Sequence, residues 1–291
     1  MKSSYYKYFA ALLLFGSNGI VASNINLPSY EIVLLRLLLG SLFLITVFTV
    51  SRQRFTFYRN KHTCLYLFIS ASAMGASWML LYEAYQQVGI SIASLAYYCG
   101  PVIVMILSPF LFRETLTWPK IAGFLTVLAG MCLVNLQALD EGKTIWGLFC
   151  GLMSAFMYAL MVTANKKAKP ESGLENSLLQ LVIGSFIVVA VSMQKNFVLS
   201  LTTIDWIPVL LLGLLNTGIG CYLYFSSITD LPVQTVAICG YLEPLSAVVF
   251  SVLFLHEVLL PLQMLGAVLI LGGAIFGECF KPEKPQRPQQ K

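Results

Sequence analysis

Glu243 stands directly before Pro244 within a long apolar stretch, and Arg36 stands inside another. A charge near the centre of a bilayer costs roughly 2.5–3.5 kcal/mol on insertion scales, so it normally faces a cavity or a partner. Glu243 has two roles open to it. Held by Arg36 or by backbone freed at the proline, it is a fixed strut; facing a cavity, it binds a proton or a cationic group of a substrate. Aromatic and polar residues recur around it at helical spacing. Gly75, Trp78, Tyr82 and Tyr85 form one stripe, from which Leu81 is offset, and Ser94, Tyr98, Pro101, Met105 and Ser108 form another. Interfacial aromatic belts account for Tyr82 or Tyr85, but less readily for the deeper Trp78, Tyr98 and Tyr241, whose polar tips need partners when buried. Ordinary helix packing is the rival to cavity lining. The candidate binding set is therefore Trp78, Tyr82, Tyr98, Pro101, Tyr241, Glu243 and Pro244, with Asn18, Tyr158 and Asn216 as weaker members.

This chemistry grips a molecule; it does not break bonds. The two histidines, His62 and His256, lie at segment ends, the acids are scattered, and no phosphate-binding loop is apparent. Seven cysteines form no CxxC pair, so neither a zinc site nor a disulfide framework is expected. No catalytic residue, metal or cofactor is assigned.

The elements that position these residues are membrane spans. Hydrophobic residues make up 58% of the 291 and charged residues 11%, against about 45–50% and about 25% in ordinary soluble domains; mean hydropathy is +0.79. So few charges could not cover a soluble surface, and disorder or nucleic-acid binding is excluded with it. Ten apolar segments are expected, near 6–22, 30–50, 63–86, 92–111, 119–136, 145–165, 174–193, 204–228, 234–254 and 262–280. Most are long enough for a core of about 30 Å at 1.5 Å per residue. The first resembles a leader, but polar residues Ser17 and Asn18 within it favour a mature helix. With ten spans and a cytoplasmic N-terminus, fifteen Lys and Arg fall inside and only Lys143 and Lys195 outside, as the positive-inside rule requires. Both termini are then cytoplasmic, and the Pro-, Gln- and Lys-rich 281–291 is expected to be a disordered tail.

Offset by 143 residues, the chain aligns with itself: Gly75 on Gly218, Pro101 on Pro244, Ser108 on Ser251, Glu114 on Glu257, Gly123 on Gly266 and Gly130 on Gly273. Each half would hold five spans, an odd number, so the second half (139–280) would enter the membrane inverted relative to the first (1–138). Inverted repeats commonly serve alternating access, with the substrate near the midplane. Pro101 and Pro244 are expected at the centres of their spans, where a proline kinks a helix. Glu114 and Glu257 are expected to fix helix ends or loops, and the glycines to let helices approach closely.

The doubled pattern Pro101/Glu114/Leu116/Gly123/Gly130 and Pro244/Glu257/Leu259/Gly266/Gly273, with Leu242-Glu243-Pro244 leading the second copy, resembles the EamA-type branch of the drug/metabolite transporter superfamily. The resemblance implies ten helices in two inverted five-helix halves, and export of amino acids or other small metabolites. The expectation is an all-α integral protein of the plasma (inner) membrane. It would act as a secondary transporter, alternating access around a midplane cavity, for a small polar or zwitterionic metabolite. Protons are a candidate coupling ion, nucleic acid is not a partner, and monomer and homodimer both remain open. The alternatives are a polytopic membrane enzyme and a structural membrane protein without transport activity.

Overall fold

The computed structural model describes residues 2–135, 145–193, 205–255 and 261–280, and within them every regular element is helical. The first half contains α1 (Lys2–Gly16), α2 (Asn18–Ser23), α3 (Ser29–Val50), α4 (Lys61–Tyr97), α5 (Gly100–Phe112) and α6 (Trp118–Asn135). The second contains α7 (Ile145–Ala168), α8 (Gly173–Met193), α9 (Trp206–Leu210), a π-helical stretch (Leu211–Ile219), α10 (Gly220–Ile228), α11 (Val233–Gly240), α12 (Leu242–Leu255) and α13 (Pro261–Cys279). Among the described residues six helical runs are long and apolar enough to cross a membrane: Tyr30–Val50, Lys61–Val88, Ile145–Ala168, Gly173–Ala190, Trp206–Ile228 and Val233–Phe254. Gly100–Phe112, Trp118–Leu133 and Met264–Gly277 are shorter apolar helices.

The helix ends repeat at the sequence offset. The break at Tyr98–Cys99 answers to the one at Tyr241, and the starts of α3, α6 and α8, α13 match within a residue or so. Although α4 is hydrogen-bonded as a single run of 37 residues, it is not straight. The Cβ atoms of Ala84 and Ala96 both lie within 4 Å of the point a Cβ on Gly151 would occupy. Twelve residues of straight helix would separate them by about 18 Å. The chain therefore doubles back within α4, at the place where the second half turns through Thr229–Pro232.

Two expectations about local geometry change. The segment 6–22 is not one helix but two, broken at Ser17. The freed groups are held by Asn216, whose Nδ2 donates to Leu14 O (2.8 Å), Ser17 Oγ (2.8 Å) and Asn18 Oδ1 (3.0 Å). Pro101 and Pro244 do not kink the middle of a helix; they lie in the first turns of α5 and α12. A first-turn N–H has no intrahelical acceptor, so a proline there removes nothing and starts a new helix cleanly.

Apolar side chains such as Leu42, Phe68, Phe110 and Phe186 face outward, while small and polar ones join the helices inside. Ser77 and Ser154 exchange hydrogen bonds between α4 and α7, each hydroxyl donating to the other's carbonyl at 2.9 and 2.8 Å. Asn165 and Asn176 pair through their amides at 2.9 and 3.1 Å. With lipid as apolar as the side chains, close packing and such bonds hold the bundle together.

The glycines show how α6 meets α13. A Cβ on Gly123 would lie 2.5 Å from Gly273 O, and one on Gly130 would lie 2.6 Å from Gly266 O. The pairing ascends one helix while descending the other, so the two run antiparallel. Because Gly123 is equivalent to Gly266 and Gly130 to Gly273, the exchange is what a two-fold axis across both helices produces. These glycines are thus spent on an internal contact. Glu114 fixes a helix start, as expected: its carboxylate accepts from Val233 N (2.9 Å) and Gln234 N (3.1 Å) at the head of α11. Glu257 lies outside the described residues, as do Lys143, Lys195 and the tail.

Candidate functional site

A cavity of about 560 Å³ opens between the helices, walled by the end of α1, α2, α3, both limbs of α4, α7, the π-helical stretch, α10 and α12. Its lining is aromatic to an unusual degree. Trp78, Tyr82, Tyr85, Tyr97 and Tyr98 come from the first half, and Tyr158, Tyr224 and Phe225 from the second. The rings brace one another: Tyr82 and Tyr85 meet edge to face at 5.2 Å, as do Tyr97 and Tyr158 at 5.5 Å. The Tyr158 and Tyr224 hydroxyls lie 3.3 Å apart, and Ser94 Oγ donates to Tyr85 Oη at 3.5 Å.

Part of the wall follows the internal repeat. Phe15 and Tyr158, Asn18 and Met161, Trp78 and Cys221, Leu81 and Tyr224, and Tyr82 and Phe225 are pairs 143 residues apart, and both members of each pair line the cavity. The cavity thus lies about the same pseudo-two-fold relation that crosses α6 and α13.

Of the residues selected from sequence, Trp78, Tyr82, Tyr98 and Glu243 come together on this wall. Tyr241, Pro101 and Pro244 are buried behind it. Tyr241 is wholly enclosed, stacks edge to face with Phe124 at 6.2 Å and donates its hydroxyl to Tyr98 O at 2.7 Å. That carbonyl is left free by the break after α4, so Tyr241 holds the backbone beneath Tyr98. Asn18 and Tyr158 are on the wall; Asn216 is one layer behind, clamping α1 to α2.

Other lining residues escaped the sequence reading. Leu81, offset from the 75–78–82–85 stripe, faces the cavity because it stands three residues after Trp78 and four before Tyr85, on the edge of the same helical face. Tyr224 and Phe225 were findable: carrying Leu81 and Tyr82 forward by 143 residues lands on them. Tyr97, adjacent to Tyr98, had no periodic signal.

Arg36, marked in the sequence as a charge that needs a cavity or a partner, has both. It is only 7% exposed and reaches the cavity from α3. Its Nε–H donates to Thr217 Oγ1 at 2.9 Å, while the Thr217 hydroxyl donates to Leu212 O at 2.8 Å. Its guanidinium carbon lies 4.5 Å from the Trp78 ring centre, a cation–π contact that stabilises a desolvated cation. The π-helical stretch matters here, since the fifth-residue bond from Thr217 to Leu212 orients the hydroxyl toward Arg36. Arg36 and Glu243 share the cavity without a direct ion pair among the described residues.

With this geometry in view, likenesses to known proteins gain meaning. The chain covers 92% of itself and 86% of an uncharacterized transporter, YxxF, of Bacillus subtilis (strain 168), at 27% identity. It is equally 27% identical to the threonine/homoserine exporter RhtA of Escherichia coli (strain K12), over 83% of this chain and 79% of that one. A solved crystal structure superposes with a TM-score of 0.81 over 96% of this chain and 97% of the other; at 18% identity this likeness speaks to fold. The EamA-like transporter family matches twice, over residues 3–136 and 145–277. With nearly all of its length so matched, and a helical bundle built around one polar-aromatic cavity, the chain is a multi-pass membrane protein of the EamA-like transporter family.

Proposed function

We propose that this protein is a secondary transporter that exports a small metabolite, an amino acid in particular, by alternating access around the aromatic cavity. One observation carries the reading: five pairs of residues exchanged by the 143-residue offset line the cavity, one member of each pair from either half. A site on such an axis is reached equally well from either face when two equivalent halves rock against each other.

The ten-span topology belongs to the same proposal. Helix starts and breaks that recur at the offset support five crossings per half, and the antiparallel α6–α13 crossing supports inversion of 139–280 relative to 1–138. The charge bias supports cytoplasmic termini in the plasma (inner) membrane. The site would combine Trp78, Tyr82, Tyr98 and Glu243 at the substrate, with Tyr241, Pro101 and Pro244 shaping the backbone behind them. Energy would come from the substrate gradient or from coupled protons. The similarity to a threonine/homoserine exporter makes threonine and homoserine the first compounds to test.

Purified protein in proteoliposomes, loaded with unlabelled amino acid and supplied with the labelled one outside, should show counterflow above empty vesicles. Absence of flux for threonine, homoserine and a wide metabolite panel would refute transport and return the polytopic-enzyme and structural readings.

A further inference from the structure

The two charges in the cavity do not obey its symmetry. The residues equivalent to Arg36 and Glu243 are Leu179 and Gly100, so each half contributes one charge, of opposite sign, to a wall whose other lining residues are uncharged. Both charges are left open. Arg36 uses Nε–H on Thr217 and one ring face on Trp78, and no partner engages its terminal N–H groups among the described residues. Those groups form the planar fork that matches a carboxylate bidentately. No hydrogen bond or ion pair engages the Glu243 carboxyl among the described residues either; only its backbone carbonyl is taken, by Ser246 Oγ at 2.7 Å.

Unpaired charges withdrawn from bulk water are unfavourable until something opposite meets them. A single anion or a single cation would satisfy one and leave the other. We propose that the cavity binds its substrate as a zwitterion spanning the two halves: the Arg36 fork takes a carboxylate, Glu243 takes an ammonium, and the rings cover the remainder. The proposal deepens the transport reading and rests on it. The tyrosine rings that share the cavity with Glu243 suit an ammonium by their ring faces. Because α3 belongs to one half and α12 to the other, a molecule held at both ends also links them. Binding thereby favours the arrangement in which the halves close on it, whereas a molecule lacking one charge is held by one half alone.

The test uses the full chain in nanodiscs and needs no variant at first. Thermal stabilisation is titrated with the twenty proteinogenic L-amino acids, with their methyl esters, which lack the carboxylate, and with their N-acetyl derivatives, which lack the ammonium. At least one amino acid should stabilise the protein, and both of its derivatives should bind about tenfold or more weakly, since each leaves a buried charge unmatched. Arg36→Lys keeps a cation but loses the fork. It should weaken the amino acid and leave its methyl ester unchanged. Glu243→Gln should weaken the amino acid and leave its N-acetyl derivative unchanged.

Equal binding of an amino acid and both derivatives would overturn the proposal, even should a variant fail to fold. So would counterflow of a singly charged or neutral metabolite by protein that binds no amino acid; transport would then stand and the zwitterion reading would fall. No flux of any compound would remove both.

Discussion

Gly272 and Gly273 are neighbours on α13, and the structure assigns them opposite responses to the same substitution. A Cβ on Gly272 meets nothing within 4 Å; one on Gly273 would lie 2.6 Å from Gly123 O and 2.9 Å from Val127 N. Ordinary contact begins near 3.4 Å, so α6 and α13 would have to part by roughly 0.8 Å against backbone that cannot rotate aside. Gly→Ala in a helix interior gains up to about 1 kcal/mol in propensity, and both sites share that gain. Overpacking at Gly273 costs about 1–3 kcal/mol, so Gly273→Ala should be the less stable variant by about that amount. The readout is thermal unfolding in nanodiscs with a thiol-reactive dye, since Cys150, Cys221 and Cys239 are buried until the bundle opens. Gly123→Ala should behave like Gly273→Ala, with its Cβ 2.5 Å from Gly273 O. The double variant should lose less than the two singles together, because helices already parted for one methyl partly accommodate the other. Equal stability of Gly272→Ala and Gly273→Ala, or strict additivity in the double, would refute the antiparallel glycine crossing.

Three further outcomes are expected. Trp78→Ala and Tyr98→Ala should reduce transport per folded molecule at least about tenfold, whereas the outward-facing Phe68→Ala should not; equal losses in all three would point to packing rather than cavity lining. In sealed cells an impermeant amine reagent should label Lys143 and Lys195 and spare Lys61 and Lys167, and labelling of Lys167 would break the ten-span topology. Asn216→Ala should lower stability by about 1–3 kcal/mol, because the amide bonds that tie the buried Asn216 to Leu14 O, Ser17 Oγ and Asn18 Oδ1 across the α1–α2 break are lost; Asn216→Asp should not rescue it, since a carboxylate cannot donate, and a rescue would show the amide is not the clamp.

The residues of this chain determine, without any folding calculation, that it lives in lipid and is built twice. Composition alone decides the first, because 11% charged residues cannot clothe a soluble surface. A gapless offset that superposes Pro101 on Pro244 and Gly123 on Gly266 decides the second. Trp78, Tyr82, Tyr98 and Glu243 were legible as cavity-lining residues because a helical stripe and a charge in an apolar run are local patterns. Tertiary structure decided what lies between elements. A reversal inside α4 brings Tyr97 and Tyr98 to the same cavity as Trp78 and Tyr82, and no periodicity marks a turn taken in helical conformation. The prolines became helix starts rather than kinks, a difference set by the breaks at Tyr98–Cys99 and Tyr241 and not by the spacing of Pro101 and Pro244. Arg36 and Glu243 lie 207 residues apart in the chain, so spacing could suggest that they pair or that they do not. Only the packing of α3 against the π-helical stretch, which gives Arg36 to Thr217 and Trp78, leaves both charges facing one cavity, because a side chain's partner is chosen by the helices that surround it.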